Sequence, residues 1–507
     1  MSAALESRLG ELLIVGFPGT SMTDEVRDRL LRIRPAGVIL FAQNLTDAGQ
    51  TGRLTRAIQD TIGSPELPAL LCADEEGGMV SQLSGFWEVA PSARAQALSG
   101  GAPLVKELAQ RTARRLLALG FNLNFAPVLD IDSNPENPVI GIRSFGSTAS
   151  LVTSCGRAAS EGILAAGAIP VVKHFPGHGD TSLDSHVALP VVSADEARLT
   201  LRELRPFAGA IQWSAPVIMS AHVLLPAIEP DPKRPATISP RVITGLLRER
   251  MGFGGVVVTD ALEMAGVAAL KSFGEIAVDA IEAGCDLLLY SKLTPGPEEA
   301  LAALRDALRS GRLSEERIQA SLERLRSLRA SSAARPRPWG DALEREARDL
   351  LSPTELEGIS EGAFRVLRQG AGGIPLRGSV DVLEVNRPTS RAAMAELLRA
   401  HGMTVREWDA DAGAWPKRIE GSALLTVAAR STVSAEDERT AREWLRRFPE
   451  TVTVASLHPH VADGWPETRT LLATFDNMPA SRRALAKRLA GAGEPAAKSR
   501  RARPPAA

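Results

Sequence analysis

The stretch VVKHFPGHGDTSLDSHVALP, residues 171–190, changes character after its first few residues. An apolar β run delivers Lys173 and His174 at its end, and the chain then passes through Pro176, Gly177 and Gly179. Proline lacks a backbone donor and glycine is costly inside a helix, so the second half is a shaped loop hung from a strand end. The loop carries His178, Asp180, Asp184 and His186. Loops so placed commonly carry chemistry. Histidine is concentrated here: of seven in the chain, His174, His178, His186 and His222 fall within residues 174–222.

Similar apolar runs lie on both sides of this stretch. They occupy residues 12–17, 37–41, 69–73, 122–129, 169–173, 217–220, 255–259 and 286–290, separated by amphipathic helical stretches. Near-continuous hydrophobic strands alternating with helices imply a parallel sheet covered on its outer face, and eight such units predict a (β/α)8 TIM-like barrel. Helix starts are marked by Thr23 before Asp24 and Glu25, by Ser193 with Glu196 as a capping box, and by Ser239 before Pro240. Further on, RASSAARPRPWG at residues 329–340 has the small residues and prolines of a linker. Ser352, Pro353 and Glu355 open a helix that leads to strand candidates at 380–385, 404–408, 423–427, 452–456 and 471–475. The expected organisation is a catalytic barrel at 1–328, a linker at 329–352, a smaller α/β sandwich-like domain at 353–490 and a disordered tail at 491–507.

Composition narrows the function classes. With 59 basic and 60 acidic residues in 507, there is no bulk charge for holding nucleic acid or a membrane surface. An apolar fraction of 44% and a charged fraction of 23% are those of a globular protein. No apolar stretch approaches the roughly 18 residues that a membrane span needs. Cys72, Cys155 and Cys285 are far apart and read as buried free thiols of a reducing compartment. The first residues lack the basic start and uninterrupted apolar run of a secretory signal, so a cytoplasmic location is expected.

In a barrel of this kind the active site lies at the carboxyl ends of the strands. Those ends offer Asp74 and Glu75 after the third run, Asp130 and Asp132 after the fourth, Lys173 and His174 after the fifth, His222 after the sixth and Asp260 after the seventh. A carboxylate in the position of Asp260 either accepts hydrogen bonds structurally or attacks an electrophilic carbon. Asp184 and His186 supply a carboxylate and an imidazole two residues apart, and a carboxylate on one ring nitrogen raises the basicity of the other. A nucleophilic carboxylate opposite such a proton shuttle is the arrangement for retaining glycoside cleavage, with histidine in place of the usual second carboxylic acid.

The segments ADEEGG (73–78), NFAPVLDIDSNPENPVIGIRSFG (124–146), KHFPGHGDTSLDSH (173–186), MSAHVLLP (219–226) and GFGGVVVTDALEM (252–264) resemble family 3 glycoside hydrolases. More narrowly, they are similar to the β-N-acetylglucosaminidase branch. The resemblance spans residues 10 to 330 or so, in the expected order. It implies that Asp260 is the catalytic nucleophile and that His186 with Asp184 is the acid/base dyad. It also implies that Asp74, Arg143, Lys173 and His174 hold the sugar beside the cleaved bond. The implied activity is exo-acting, retaining release of terminal N-acetylglucosamine through a glycosyl-aspartate intermediate. The implied partner is a small oligosaccharide, a peptidoglycan-derived muropeptide or a chitooligosaccharide, and no metal or organic cofactor is required. Two departures stand out. The family commonly has Arg where this chain has Met79 and Gln82, and again where Gln43 precedes Asn44. Contacts in or behind the sugar site must therefore differ.

Other readings of the same residues are open. A phosphorylase or β-glucosidase of the same family would share the barrel, and a catalytically silent carbohydrate-binding barrel would not need Asp260, Asp184 and His186 together. Zinc held by His174, His178, His186 and Asp180 is disfavoured, because Pro176 and Gly177 break the helical face that HxxxH spacing needs. His178 reads as part of the loop's internal hydrogen bonding, and His222 as a satisfied strand-end residue. His401, His458 and His460 have no carboxylate partner at convincing spacing.

Overall fold

The computed structural model describes residues 3–182, 189–293, 295–331, 333, 335, 340–386, 392–408, 415–429 and 431–492. The chain divides into two units, Met1–Ala363 and Phe364–Ala507. In the first unit eight strands form one parallel sheet: β1 (Leu13–Val15), β2 (Gly37–Ile39), β3 (Leu70–Ala73), β4 (Leu123–Asn124), β5 (Ile169–Phe175), β6 (Val217–Ser220), β7 (Val256–Thr259) and β8 (Leu288–Tyr290). Their order runs β7-β6-β5-β4-β3-β2-β1-β8. A single bridge, Val258 with Leu287, joins the two ends, and the Thr259 amide donates to the Leu287 carbonyl at 2.9 Å. The sheet is thus a nearly closed α/β barrel, as the eight apolar runs predict. Every strand residue is buried, because helices cover the outside and side chains fill the inside.

The β7–β8 seam is secured by a charge. Asp286, fully buried just before β8, accepts from Arg248 Nη2 at 2.6 Å, the Val257 amide at 3.0 Å, Ser321 Oγ at 2.7 Å and Arg324 Nη1 at 3.1 Å. An ionised carboxylate survives in a core only when so satisfied. Arg248 in turn donates to the Gly284 carbonyl. One carboxylate therefore ties β7, β8 and two helices together.

Local signals act as expected at Thr23, which accepts from the Val26 amide, and at Ser239, which accepts from Val242. At helix Glu196–Leu201 the cap is Asp195, not Ser193: its carboxylate accepts from the Arg198 amide at 2.8 Å. The expected linker at 329–352 also differs. Residues Asp341–Asp349 form a helix, and helix Pro353–Ala363, placed by sequence in the second region, belongs to the first unit. The reason is Arg111 and Arg115 on helix Ala93–Ala118. Arg115 donates to the carbonyls of Glu88, Ala347 and Arg348, and Arg111 pairs with Glu355 at 2.5 Å. Arg329 is likewise buried and donates to the Leu67 and Pro68 carbonyls.

The second unit is a six-stranded mixed sheet, ordered β11-β10-β12-β13-β14-β9. Strands β10 (Val380–Val385), β11 (Val405–Trp408), β12 (Ser422–Val427), β13 (Val452–Ala455) and β14 (Thr470–Ala473) are parallel, and β9 (Arg365–Arg368) runs antiparallel on β14. Alternation sends Val380, Val382 and Leu424 into one core with helix Pro479–Leu489. It sends Leu383, Val385 and Leu425 into another with Trp444 of helix Ala435–Arg447. Helices thus cover both faces. The tail expected at 491–507 lies, beyond residue 492, outside the described residues. Among the described residues no helix is long and apolar enough to cross a membrane.

Asp286→Ala should lower unfolding stability by about 3–5 kcal/mol, because Arg248 and Arg324 lose their buried counter-charge. Urea unfolding of the two proteins measures it, and a loss below about 1 kcal/mol would show that the seam does not depend on this carboxylate.

Candidate active site

The carboxyl ends of all eight strands face one rim, and the polar residues there interlock. Lys173, at the end of β5 and only 2% exposed, places Nζ 2.6 Å from Asp74 Oδ1 and 2.6 Å from Glu76 Oε1. Glu76 also receives Arg143 as a two-pronged pair, Nε to Oε2 at 2.9 Å and Nη2 to Oε1 at 2.8 Å. Burial pushes the Glu76 carboxyl up, but Arg143 and Lys173 overcome this and hold it well below the usual carboxylate range. The same contacts raise Lys173 and Arg143 against the effect of burial, so both stay charged. Asp74 is partly exposed.

Behind this cluster, the side chain of Asn124 in β4 clamps the backbone of Glu75, accepting from its amide at 3.0 Å and donating to its carbonyl at 2.9 Å. The Glu75 carboxylate accepts from Ser81 Oγ and from the amides of Gln82 and Leu83. Gln82 Nε2 donates to the Asp74 carbonyl at 3.0 Å while its Oε1 accepts from the Ala42 amide at 2.8 Å. Gln82, where the family resemblance leads one to expect an arginine, is thus a neutral amide that ties the Asp74 backbone to the loop after β2.

A second buried carboxylate organises the loop after β5. Asp130 accepts from the His178 amide at 2.7 Å, and its other oxygen lies 2.6 Å from His174 Nδ1. Burial raises the Asp130 carboxyl, and His174, His178 and their hydrogen bonds bring it below its ordinary value. His174 Nε2 lies 3.5 Å from Arg143 Nη2, which links the two carboxylate clusters. Asn137 donates to the carbonyls of His178 and Gly179. Gly177 adopts φ +121°, and a Cβ at Gly179 would stand 1.7 Å from the Ile131 carbonyl oxygen, so the loop closes on the β4 end only with glycine there. His178 is indeed internal: Nδ1 lies 2.9 Å from Thr181 Oγ1, and burial pushes its ring down to about 4. Asp180 pairs with Arg202 at 2.5 Å. Among the described residues no group of three or more His, Cys, Asp and Glu could hold a metal ion.

Asp260 follows β7 directly, is partly exposed, and accepts from the Ala261 amide at 2.8 Å. Burial pushes its carboxyl up, but His222, His174, the Ala261 amide and Lys173 hold it below the usual value. Sequence-predicted Asp74, Arg143, Lys173 and His174 are thus brought together in hydrogen-bonded contact, with Asp260 within their field. Asp184 and His186 lie outside the described residues. Glu76, the hub of the cluster, went unselected by sequence, as did the positioning amides Asn124 and Asn137.

Residues 4–328 match the model of the glycosyl hydrolase family 3 N terminal domain. The chain belongs to this family. It is 33% identical over 404 residues to a β-hexosaminidase A of Pseudoalteromonas piscicida, covering 74% of this chain and 66% of that protein, just under two thirds of its length. It is 35% identical over 343 residues to a β-hexosaminidase of Bordetella parapertussis, covering 66% of this chain and 92% of that one. Among solved structures, a family 3 β-N-acetylglucosaminidase from Paenibacillus sp. str. FPU-7 superposes with a TM-score of 0.84 at 34% identity, covering 97% of both chains. The protein is a glycoside hydrolase.

Glu75 gives this family 3 barrel a pH signature. Burial raises its carboxyl from 4.5 to about 7, so between those values the native state holds more protons than the unfolded one, and stability falls as pH rises. Glu75→Gln keeps an acceptor oxygen and removes the buried charge. It should raise unfolding stability at pH 8 by about 1–3 kcal/mol and change little at pH 5. Thermal melts at the two pH values check this, and an equal effect at both would remove Glu75 as its source.

Proposed function

We propose that this glycoside hydrolase is an exo-acting, retaining β-N-acetylglucosaminidase. It releases non-reducing terminal N-acetylglucosamine from peptidoglycan fragments or chitooligosaccharides through a covalent glycosyl-aspartate. The observation that carries this reading is Asp260 itself: an ionised, partly exposed carboxylate at the barrel rim, with one oxygen held by the Ala261 amide and the other without a hydrogen-bond donor among the described residues. The β-hexosaminidase names of the relatives support the same sugar class.

In the first step an Asp260 oxygen bonds to the anomeric carbon as the glycosidic bond breaks, and His186 gives its proton to the departing oxygen. In the second, His186 takes a proton from water, the water oxygen bonds to the same carbon, and the electron pair of the ester bond returns to Asp260. Asp184 orients the imidazole. Lys173 and Arg143 are charge-assisted donors to sugar hydroxyls, and Asp74 accepts from them. The two cations are fixed before substrate arrives, because Glu76 bridges and orients them and Asp74 supplies the second negative charge.

A fluorinated N-acetylglucosaminide should label Asp260, found by mapping the modified peptide. Asp260→Asn should show no label and lose at least about 10³-fold in turnover, roughly 4 kcal/mol of barrier. Label on another residue would overturn the assignment. His186→Ala should cost an unactivated disaccharide about 10²–10⁴-fold and an activated aryl glycoside far less. Equal losses on both substrates would remove His186 as the acid. Comparing products with and without phosphate separates hydrolysis from phosphorolysis.

A further inference from the structure

His222, just beyond β6, is 1% exposed and takes no step in the mechanism above. Its Nε2 lies 3.0 Å from the Ala261 carbonyl oxygen and its Nδ1 lies 2.9 Å from Thr237 Oγ1. A carbonyl only accepts, so Nε2 carries a hydrogen. The Thr237 hydroxyl has one proton, which it donates to the Ala221 carbonyl at 2.9 Å while accepting from Ser220 Oγ at 3.0 Å. What it turns toward His222 is a lone pair, so Nδ1 carries a hydrogen as well. A ring with hydrogens on both nitrogens is a cation.

We propose that His222 is an imidazolium fixed by Thr237 and the Ala261 carbonyl, and that it is a positioning residue for Asp260. Its charge keeps the carboxylate ionised, and its hydrogen bond fixes Ala261, whose amide holds one carboxylate oxygen. The inference rests on Asp260 being the nucleophile. The two residues stand at neighbouring strand ends: Ser220 pairs with Thr259, the Asp260 amide donates to the Ser220 carbonyl at 3.1 Å, and the charge of His222 reaches the Asp260 carboxylate through space. A buried cation needs a counter-charge, and Asp260 supplies one from the neighbouring strand.

Among the described residues, the charged and titratable groups that act on or with Asp260 include His222 from the β6 end, His174 and Lys173 from the β5 end, and His178 from the loop that follows. Of those that lower the Asp260 carboxyl, His222 acts most strongly. The same charge serves the second chemical step, when the carboxylate leaves the anomeric carbon and recovers its electron pair. His222 is therefore an electrostatic support for departure, and in the first step it acts by keeping Asp260 ionised.

The test uses the full chain labelled with ¹⁵N-histidine, with His222→Gln assigning the resonances. At pH 8 both ring nitrogens of His222 should be protonated, although an ordinary histidine, near pKa ~6.5, is neutral there. In Thr237→Val the lone pair is gone, and the ring should become neutral with Nδ1 bare. In both variants the acid limb of kcat/KM should move up by about one pH unit or more, with kcat falling and KM nearly unchanged. A neutral His222 in the native protein at pH 8, or acid limbs unmoved in both variants, overturns the proposal. Because Gln can still donate to the Ala261 carbonyl, full rescue by His222→Gln would mean that the hydrogen bond alone matters. The fluorinated sugar tests Asp260 separately: label elsewhere fails the nucleophile assignment, whereas a neutral ring with Asp260 labelled fails only this inference.

Discussion

The Glu76 carboxylate is the contact on which the rim depends. It is buried between two cations, Lys173 from β5 and Arg143 from the turn Gly141–Arg143, and neither cation could be kept buried without it. Two positive and two negative groups, counting Asp74, balance within hydrogen-bond distance. Desolvation, which would penalise any of them alone, is offset by the other three. The arrangement also has a direction: the Glu76 side chain is committed to its partners, while that of Asp74 is the more exposed of the two carboxylates. Charge balance thus makes a polar surface that stays oriented without ligand, which is what recognition of neutral hydroxyls requires.

Asp130 does for the loop after β5 what Glu76 does for the cations. Its two oxygens take the His178 amide and His174 Nδ1, so one carboxylate sets both the loop backbone and the orientation of a site imidazole. Asn137 holds the loop from the opposite side through the His178 and Gly179 carbonyls. The loop that first marked the sequence is therefore shaped from beneath by residues some forty positions earlier.

The barrel was legible because strands buried on both faces must be apolar throughout, and the polar residue ending each run then stands out. Asp74, Asp130, Lys173, His174 and Asp260 were found that way. Glu76 was not, because ADEEGG presents three carboxylates in succession and nothing local says which one meets the cations. Thr237 and His222 are fifteen positions apart and meet only in the fold. Helix Asp341–Asp349 was hidden by the prolines before it, since its place depends on Arg115 more than two hundred residues earlier. Strand β9, RVLR, is short, basic and partly exposed, and only its antiparallel pairing with β14 makes it a strand. At Glu196–Leu201 the cap is Asp195, not the expected Ser193, because its carboxylate reaches the Arg198 amide.

Four buried or half-buried carboxylates at this rim end in different states for different physical reasons. Glu75 meets mainly neutral donors, and burial raises it to about 7. Glu76 and Asp130 are driven the other way by cationic or imidazole partners, but those partners also occupy their oxygens. Asp260 is lowered largely through space, by rings and an ammonium group that leave one of its oxygens unclaimed by the Ala261 amide. A nucleophile must be ionised, reachable and not already consumed by strong hydrogen bonds. Glu75 meets the first condition only in part at neutral pH, and Glu76 and Asp130 fail the last. The distinction between structural and reactive carboxylates thus rests on how each is kept charged: by contact, which spends its oxygens, or by field, which spares them.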